Sequence, residues 1–412
     1  MLRSMYSGVS GLKAHMSKMD IIGNNIANVN TTGYKGSRAT FKSMLSQTIQ
    51  GASAPQNGRG GTNPMQVGLG VSLGSIDKNM SQGNLKSTGR SLDFAIQGNG
   101  FFVLSDGASD LYTRAGAMSR DKEGYLVNTV NGYRVQGWMA NKQGQISTKG
   151  ELEDLTLKPS IPATATDKIT YSGNLNASAA NGTTRTTTIP VYDSQGSKHT
   201  VEVEFEKTAT ANEWDYTVTS VSGATIDAGN TGTLTFDASG NLDTTAAAFI
   251  NPDLEITPNN GAAAGQTINL DFSQINQFAG EMTADVDTVN GSQAGSLEDF
   301  TIGQSGVITG FYDNGQRQRI GKLALANFNN PAGLSQEGDT MFRPSNNSGA
   351  AKIGEANSGG FGALSAGTLE MSNVDLSRQF TEMITAQRGF QANSKVISTS
   401  DQILQELVNL KR

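Results

Sequence analysis

The sequence predicts an α+β multidomain fold in which coiled-coil-like helical termini flank an all-β middle. Three observations carry this expectation. All nine prolines fall between Pro55 and Pro344, so neither end of the chain holds the strongest helix breaker. Both ends space their apolar residues as a helix does, whereas the middle alternates apolar and polar residues with period two. The 49 glycines among 412 residues point to many turns and short strands rather than to a helical bundle.

At the N-terminus, Leu2, Met5, Val9, Leu12, Met16 and Met19 follow one another at steps of three and four, an a/d seam. It continues slightly out of phase through Ile22, Ile26 and Val29 and meets a stop signal at Asn30-Thr31-Thr32-Gly33. The C-terminal helix is announced by Ser372 and Asp375, whose side chains can satisfy orphan backbone N–H groups. Its apolar positions are Leu376, Phe380, Met383, Phe390, Ile397, Leu404 and Val408, with Gln387, Ser394 and Asp401 interleaved as polar positions of the same seam. Such helices have no core of their own. Each seam is expected to bury against the other terminal helix or against neighbouring molecules, which makes self-association the natural hypothesis.

The middle reads as β. Tyr125-Leu126-Val127, the Asn131-Gly132 turn, and Tyr133 with Val135 form one predicted hairpin. Val201, Val203 and Phe205 alternate with Glu202, Glu204 and Glu206, a strand with one wet face. Trp214, Tyr216 and Val218 repeat that pattern, as do Ile268, Leu270 and Phe272. A further hairpin turns at Asp313-Asn314-Gly315. Residues 163–188 and 222–265, rich in Ala, Thr, Asn and Gly, are expected to be long turns or surface loops, and 47–63 a linker. The length predicts two or three domains.

Several function classes drop out on composition. A net charge of −6 without a long basic tract argues against nucleic-acid binding. The absence of cysteine removes disulfides, thiolate catalysis and cysteine metal sites. The two histidines, His15 and His199, are isolated and do not make a structural zinc site. No apolar run reaches the roughly 20 residues of a membrane span. An interfacial membrane helix is also disfavoured, because the N-terminal segment carries only scattered Arg3, Lys13 and Lys18 and no Trp. The first residues, Met1 to Tyr6, lack the apolar stretch of a cleavable signal peptide, so export, if any, is expected to remove nothing. Gly68 to Gly74 has the wrong spacing for a dinucleotide loop and reads as turn or bulge glycines. No catalytic, cofactor or metal site emerges.

Several long blocks, in order, resemble the flagellar axial proteins, the family of rod, hook and hook-associated subunits. They are Asn25 to Lys35, Ser91 to Val103, Tyr112 to Ala117 with Gly124 to Trp138, Leu369 to Leu376, and Gln387 to Asn393. The segments Pro190 to Gly196, Gly306 to Gly315 and Leu323 to Leu334 are similar to those of the hook branch. This resemblance implies nested all-β domains. Residues 1–30 and 370–412 would form an inner helical assembly domain and 31–70 a linker. An inner β domain would span 71–145 and 286–369, and an outer one 146–285. It further implies a curved, torque-transmitting tube built from copies of the chain. The other implied partners are rod, hook-cap and hook–filament junction proteins and the flagellar export apparatus, and the implied location is the flagellum outside the cell. The fifteen seam residues from Leu2 to Ile26 and from Leu376 to Val408 named above are the expected assembly interface. Two rivals stay open: a distal-rod subunit, expected to lack most of 145–285, and a secreted adhesin or carbohydrate-active β-protein.

Overall fold

The computed structural model describes residues 2–55, 60–141, 143–243 and 252–409, with the side chains of Leu2 and Leu407 outside the description. Parts of two segments discussed above, 56–59 and 244–251, therefore lie outside the described residues. The chain divides into two compact units. Unit 1 comprises Met1–Leu157, Thr301–Thr309 and Arg319–Arg412, and unit 2 comprises Lys158–Phe300 and Gly310–Gln318.

Unit 1 contains the two long helices, α1 (Leu2–Ala27) and α2 (Leu376–Asn409). The start of α2 follows its capping chemistry: Asp375 Oδ1 accepts the Arg378 N–H at 3.1 Å. Ser372 Oγ accepts from Val374 at 3.3 Å, one step outside the helix. After α1 the chain builds an antiparallel ribbon. Strand Ser37–Ser43 pairs with Val71–Lys78, and further out Ser46–Gln50 pairs with Met65–Gly68. Paired strands enter the expected linker, at Ser37–Ser43, Ser46–Gln50 and Met65–Gly68. Its Gly and Ser content hid apolar residues that are too sparse to show a clear period. Gly74 is the unpaired residue where the register slips between Thr40 and Phe41, a bulge glycine as its spacing suggested.

The β body of unit 1 packs Phe101, Val103, Tyr112, Trp138, Ala326 and Phe342 into one core. Phe101, Phe328 and Phe342 meet edge to face, with centroids 5.8 Å apart in both pairs. The two ends of the chain are drawn together by strand pairs of wide sequence separation: Leu85–Ser87 with Thr368–Glu370, and Phe94–Gln97 with Ala363–Ala366.

Unit 2 has a four-stranded antiparallel sheet (Thr184–Tyr192, Lys198–Lys207, Glu213–Val221, Thr231–Thr235) and a five-stranded mixed sheet that share one core. Val201, Val203 and Phe205 are fully buried, as the alternation required, and each side chain contributes about 1.5–3 kcal/mol. Tyr171, Phe205 and Phe272 form the aromatic centre. The two segments expected as loops contribute strands. Lys168–Asn174 and Thr184–Tyr192 come from the first, and Ala224–Ala228, Thr231–Thr235 and Asp253–Pro258 from the second. Threonine, β-branched but polar, satisfies the strand geometry without an apolar signal.

Candidate assembly interface

α1 presents three faces: one meets α2, one lies against the ribbon and one is largely uncovered. The face toward α2 is made of small and polar residues. A Cβ on Gly8 would lie 3.1 Å from Ile397 Cγ1, and one on Gly11 2.7 Å from Asn393 Nδ2. On α2, Gly389 leaves room for the His15 ring, which would stand 2.5 Å from an added Cβ. Lys18 approaches Glu382 at 3.7 Å, and Asn25 Nδ2 donates to Gln379 Oε1 at 3.1 Å. As residue numbers rise on α1 they fall on α2, so the helices pair antiparallel. Glycine at the contact makes room for the side chains of the facing helix, Asn393 and Ile397 on one side and His15 on the other.

A second face, around Ser7, Ser10 and Ala14, lies against the ribbon. Val71 N–H donates to Ser10 Oγ at 3.2 Å, and Gly70 sits so close that a Cβ there would be 2.1 Å from that oxygen. Between helix and ribbon runs an open groove of about 440 Å³ lined by Tyr6, Val9, Met44, Leu69, Val71 and Leu73 among others.

The third face is the apolar seam. At about 100° per residue, Met5, Val9, Leu12, Met16 and Met19 centre roughly 100° round the helix from the α2-facing side. Val9 is 40% exposed and Met16 52% exposed, while Met5, Leu12, Met19 and Ile26 are half-buried. Only Ile22, at 2%, is buried among the predicted α1 positions whose side chains are described. Leu2 lies in the helix, but its side chain is outside the description. On α2, Leu376, Phe380 and Val408 are exposed, and Met383, Phe390, Ile397 and Leu404 are half-buried. Gln387, Ser394 and Asp401, read as polar positions within the seam, are exposed; the polar residues turned inward include Gln379, Glu382, Asn393 and Ser400. The ribbon extends the uncovered apolar surface with Leu45, 82% exposed, and with Ile49 and Met65.

The feet of the helices are fixed by a polar junction that no local pattern of residues announces. Asn25 Oδ1 accepts the Ser37 N–H at 2.9 Å while its Nδ2 donates to Ser37 O at 2.7 Å. Tyr34 Oη donates to Asn24 Oδ1 at 2.7 Å. Asn373, just before α2, accepts from Gly36 N–H at 2.9 Å and donates to Asn79 O at 2.8 Å. The block from Asn25 to Lys35 is therefore a joint. Its side chains tie the exit of α1 to the entry of α2, and only long-range pairing brings the partners together.

In unit 2, His199 and Asp193 form a buried polar cluster. His199 Nε2 lies 3.0 Å from Asp193 Oδ2, and Nδ1 lies 2.9 Å from Ser222 O. Both ring nitrogens are engaged, leaving neither for a metal or a nucleophile. Asn260 Nδ2 also donates to Asp193 Oδ2, and the Ser197 and Gln195 N–H groups donate to Oδ1. Burial pushes the Asp193 carboxyl up, but these hydrogen bonds outweigh it and hold the group at about 2. Among the described residues no group of three or more His, Asp or Glu side chains could hold a metal ion, and no helix is long and apolar enough to cross a membrane.

Comparison with known proteins gives this architecture a class. Models of the flagella basal body rod protein (residues 5–35) and of the flagellar basal body rod FlgEFG protein C-terminal region (365–410) match the two helical ends. The flagellar hook protein FlgE/F/G D1 domain matches 95–177 and the flagellar basal body protein FlaE D2 domain 160–292. None of these families is a catalytic one. The fold and its termini thus define a flagellar rod-and-hook type subunit.

Full-length relatives narrow the class. The chain is 43% identical to the flagellar hook protein FlgE of Borreliella burgdorferi and 42% identical to that of Treponema pallidum, in both cases over all of either chain. It is 36% identical to the Escherichia coli K12 protein of the same name over 98% of each. The crystal structure of Helicobacter pylori flagellar hook protein FlgE2 shares the fold, with a TM-score of 0.51 and 14% identity over 69% of this chain and all of that one. This chain belongs to the flagellar hook protein FlgE family.

Proposed function

We propose that the chain is the structural subunit of a bacterial flagellar hook, polymerising head to tail into a curved tube that passes motor torque to the filament. The observation that carries this is identity of 43% along the whole length of a named hook protein. A head-to-tail contact that does not close on itself yields an open helical tube. In this reading, residues 1–30 and 370–412 form the inner assembly domain, and the outward seams are its contacts with neighbouring copies. Carrying the helical rotation through the antiparallel partner puts Leu376, Phe380, Met383 and Phe390 on the same side of the hairpin as Met5 to Met19. One apolar face then spans both helices, in the manner of a coiled coil completed between subunits. The β domains, inner at 71–145 with 286–369 and outer at 146–285, form the shells around it. The remaining partners are the rod, the hook cap, the hook–filament junction and the export apparatus, and the working location is the flagellum outside the cell.

The sandwich of unit 2 speaks against the distal-rod alternative, which was expected to lack most of that segment. Electron microscopy of the purified protein tests the reading. Curved tubes are expected, and a protein that stays monomeric or forms only amorphous aggregates across salt and concentration would sink it.

A further inference from the structure

Unit 1 buries three charged side chains at one point, and the assembly face makes no use of them. Glu370 ends the strand that leads into α2, Lys35 follows α1, and Arg114 comes from the β body. Lys35 Nζ lies 2.7 Å from Glu370 Oε1 and donates to Ser81 O at 2.7 Å. Gly83 N–H donates to the same Oε1 at 2.9 Å. Arg114 Nη1 approaches Glu370 Oε2 at 3.5 Å and donates to Ile96 O at 3.2 Å, while Nη2 donates to Gly98 O at 2.6 Å.

Two cations thus share one carboxylate. Neither Glu370 Oε2 nor Arg114 Nε makes a hydrogen bond among the described residues. Burial lowers the pKa of both Lys35 and Arg114 against the pull of Glu370, so the loss of hydration outweighs the attraction. A buried ionic cluster of this kind is a poor stabiliser; apolar groups of similar volume often serve stability as well or better. What the charges supply is placement. Glu370 can accept from Lys35 and Gly83 and face the Arg114 guanidinium only when the exit of α1, the entry of α2 and the β body meet at one spot.

We propose that Lys35, Glu370 and Arg114 are positioning residues: they set where α1 and α2 leave the β body, and with that the placement of the assembly face, while adding no net stability to the unit. For its effect on polymerisation the proposal rests on the hook reading above; its effect on placement does not.

Two full-length variants decide it. Glu370→Gln leaves two buried cations without an anion, and the unfolding midpoint of unit 1 should drop by about 10 °C. The triple variant Lys35→Met, Arg114→Met, Glu370→Leu should keep that midpoint within about 2 °C of the parent. Yet its Gly36 and Asn79 amides, which bond Asn373 Oδ1 and Gly36 O in the parent, should exchange at least about tenfold faster. Its tubes should be absent or irregular. A triple variant that loses more than about 5 °C would show a stabilising cluster and overturn the proposal. So would parental exchange at Gly36 and Asn79, or parental tubes. If the parent itself forms no tubes the hook reading fails, and the exchange comparison still settles placement.

Discussion

The terminal helices and the unit 2 sandwich dispose of their apolar residues in opposite ways. In the sandwich, Trp214, Phe205, Tyr171 and Phe272 are fully buried against one another within one unit. In the helical hairpin the contact between helices is made by Gly8, Gly11 and Gly389, while Val9, Met16, Phe380 and Ile384 face outward. Both regions show strong apolar periodicity. The difference teaches that periodicity tells which side of an element shuns water and leaves open what covers it. In one region the cover is the chain itself; in the other it is the role we assign to further copies.

The largest effect expected from this contrast follows charge placed on the outward seam. Replacing Val9 and Leu12 by Asp should abolish polymerisation, because an assembly repeats the cost of burying an unpaired carboxylate, several kcal/mol per group, at every subunit. Val9 is exposed and Leu12 half-buried in the single chain, so thermal unfolding of both units should change little. Normal tubes from this variant, seen by electron microscopy, would mean the seam is not the interface.

The same experiment on the sandwich should give the reverse. Phe272→Ala removes the ring at the centre of the unit 2 core and should cost about 3–5 kcal/mol of that unit's stability. Calorimetry should show one lowered transition, with the β body of unit 1 unaffected. A uniform loss across both transitions would show that the two units unfold together.

A smaller effect separates the two uses of glycine in α1. Gly11→Leu has no space, since even a Cβ would stand 2.7 Å from Asn393, and overpacking of this kind costs about 1–3 kcal/mol. Gly23 meets nothing within 4 Å, so Gly23→Ala should stabilise the helix by about 0.5–1 kcal/mol through propensity alone. Amide exchange along α1 should slow in the second and quicken in the first. Equal behaviour would remove the close-approach role of Gly11.

How much of this was legible in the sequence follows the same division. The strands around Val201, Trp214 and Ile268 and the cap at Asp375 show themselves because their signals are local. The hairpin interface does not, because Gly8 and Gly11 give no apolar signal at the positions where closeness matters most. Lys35 and Glu370 meet only after strand pairing closes the chain, so no spacing rule links them. The block from Asn25 to Lys35 could be singled out by resemblance, but its work as a joint appears only once Ser37, Asn79 and Asn373 are brought to it.

The last test uses a charge buried in the sandwich and is expected to be the mildest. Asp193 is held at about 2, below the unfolded value of about 3.9 for an aspartate. A group whose folded pKa is depressed lends stability above its unfolded pKa and loses it as the pH falls through the folded one. Unit 2 should therefore weaken progressively between about pH 4 and pH 2 through this group. Lys168, at 2.8 Å, likewise holds the Asp271 carboxyl below its ordinary value, so Asp271 weakens unit 2 in the same direction on acidification. The comparison with Asp193→Asn isolates the one of interest. At pH 7 the variant should unfold at a lower temperature than the parent, because its neutral side chain gives His199 and the Ser197 and Gln195 N–H groups a weaker acceptor. The gap should narrow as the pH approaches 2, where about half of the parent's carboxyl is itself protonated. A gap that stays constant from pH 7 to about 2.5 would show that packing around Asp193, and not its charge, ties this corner of the sandwich together.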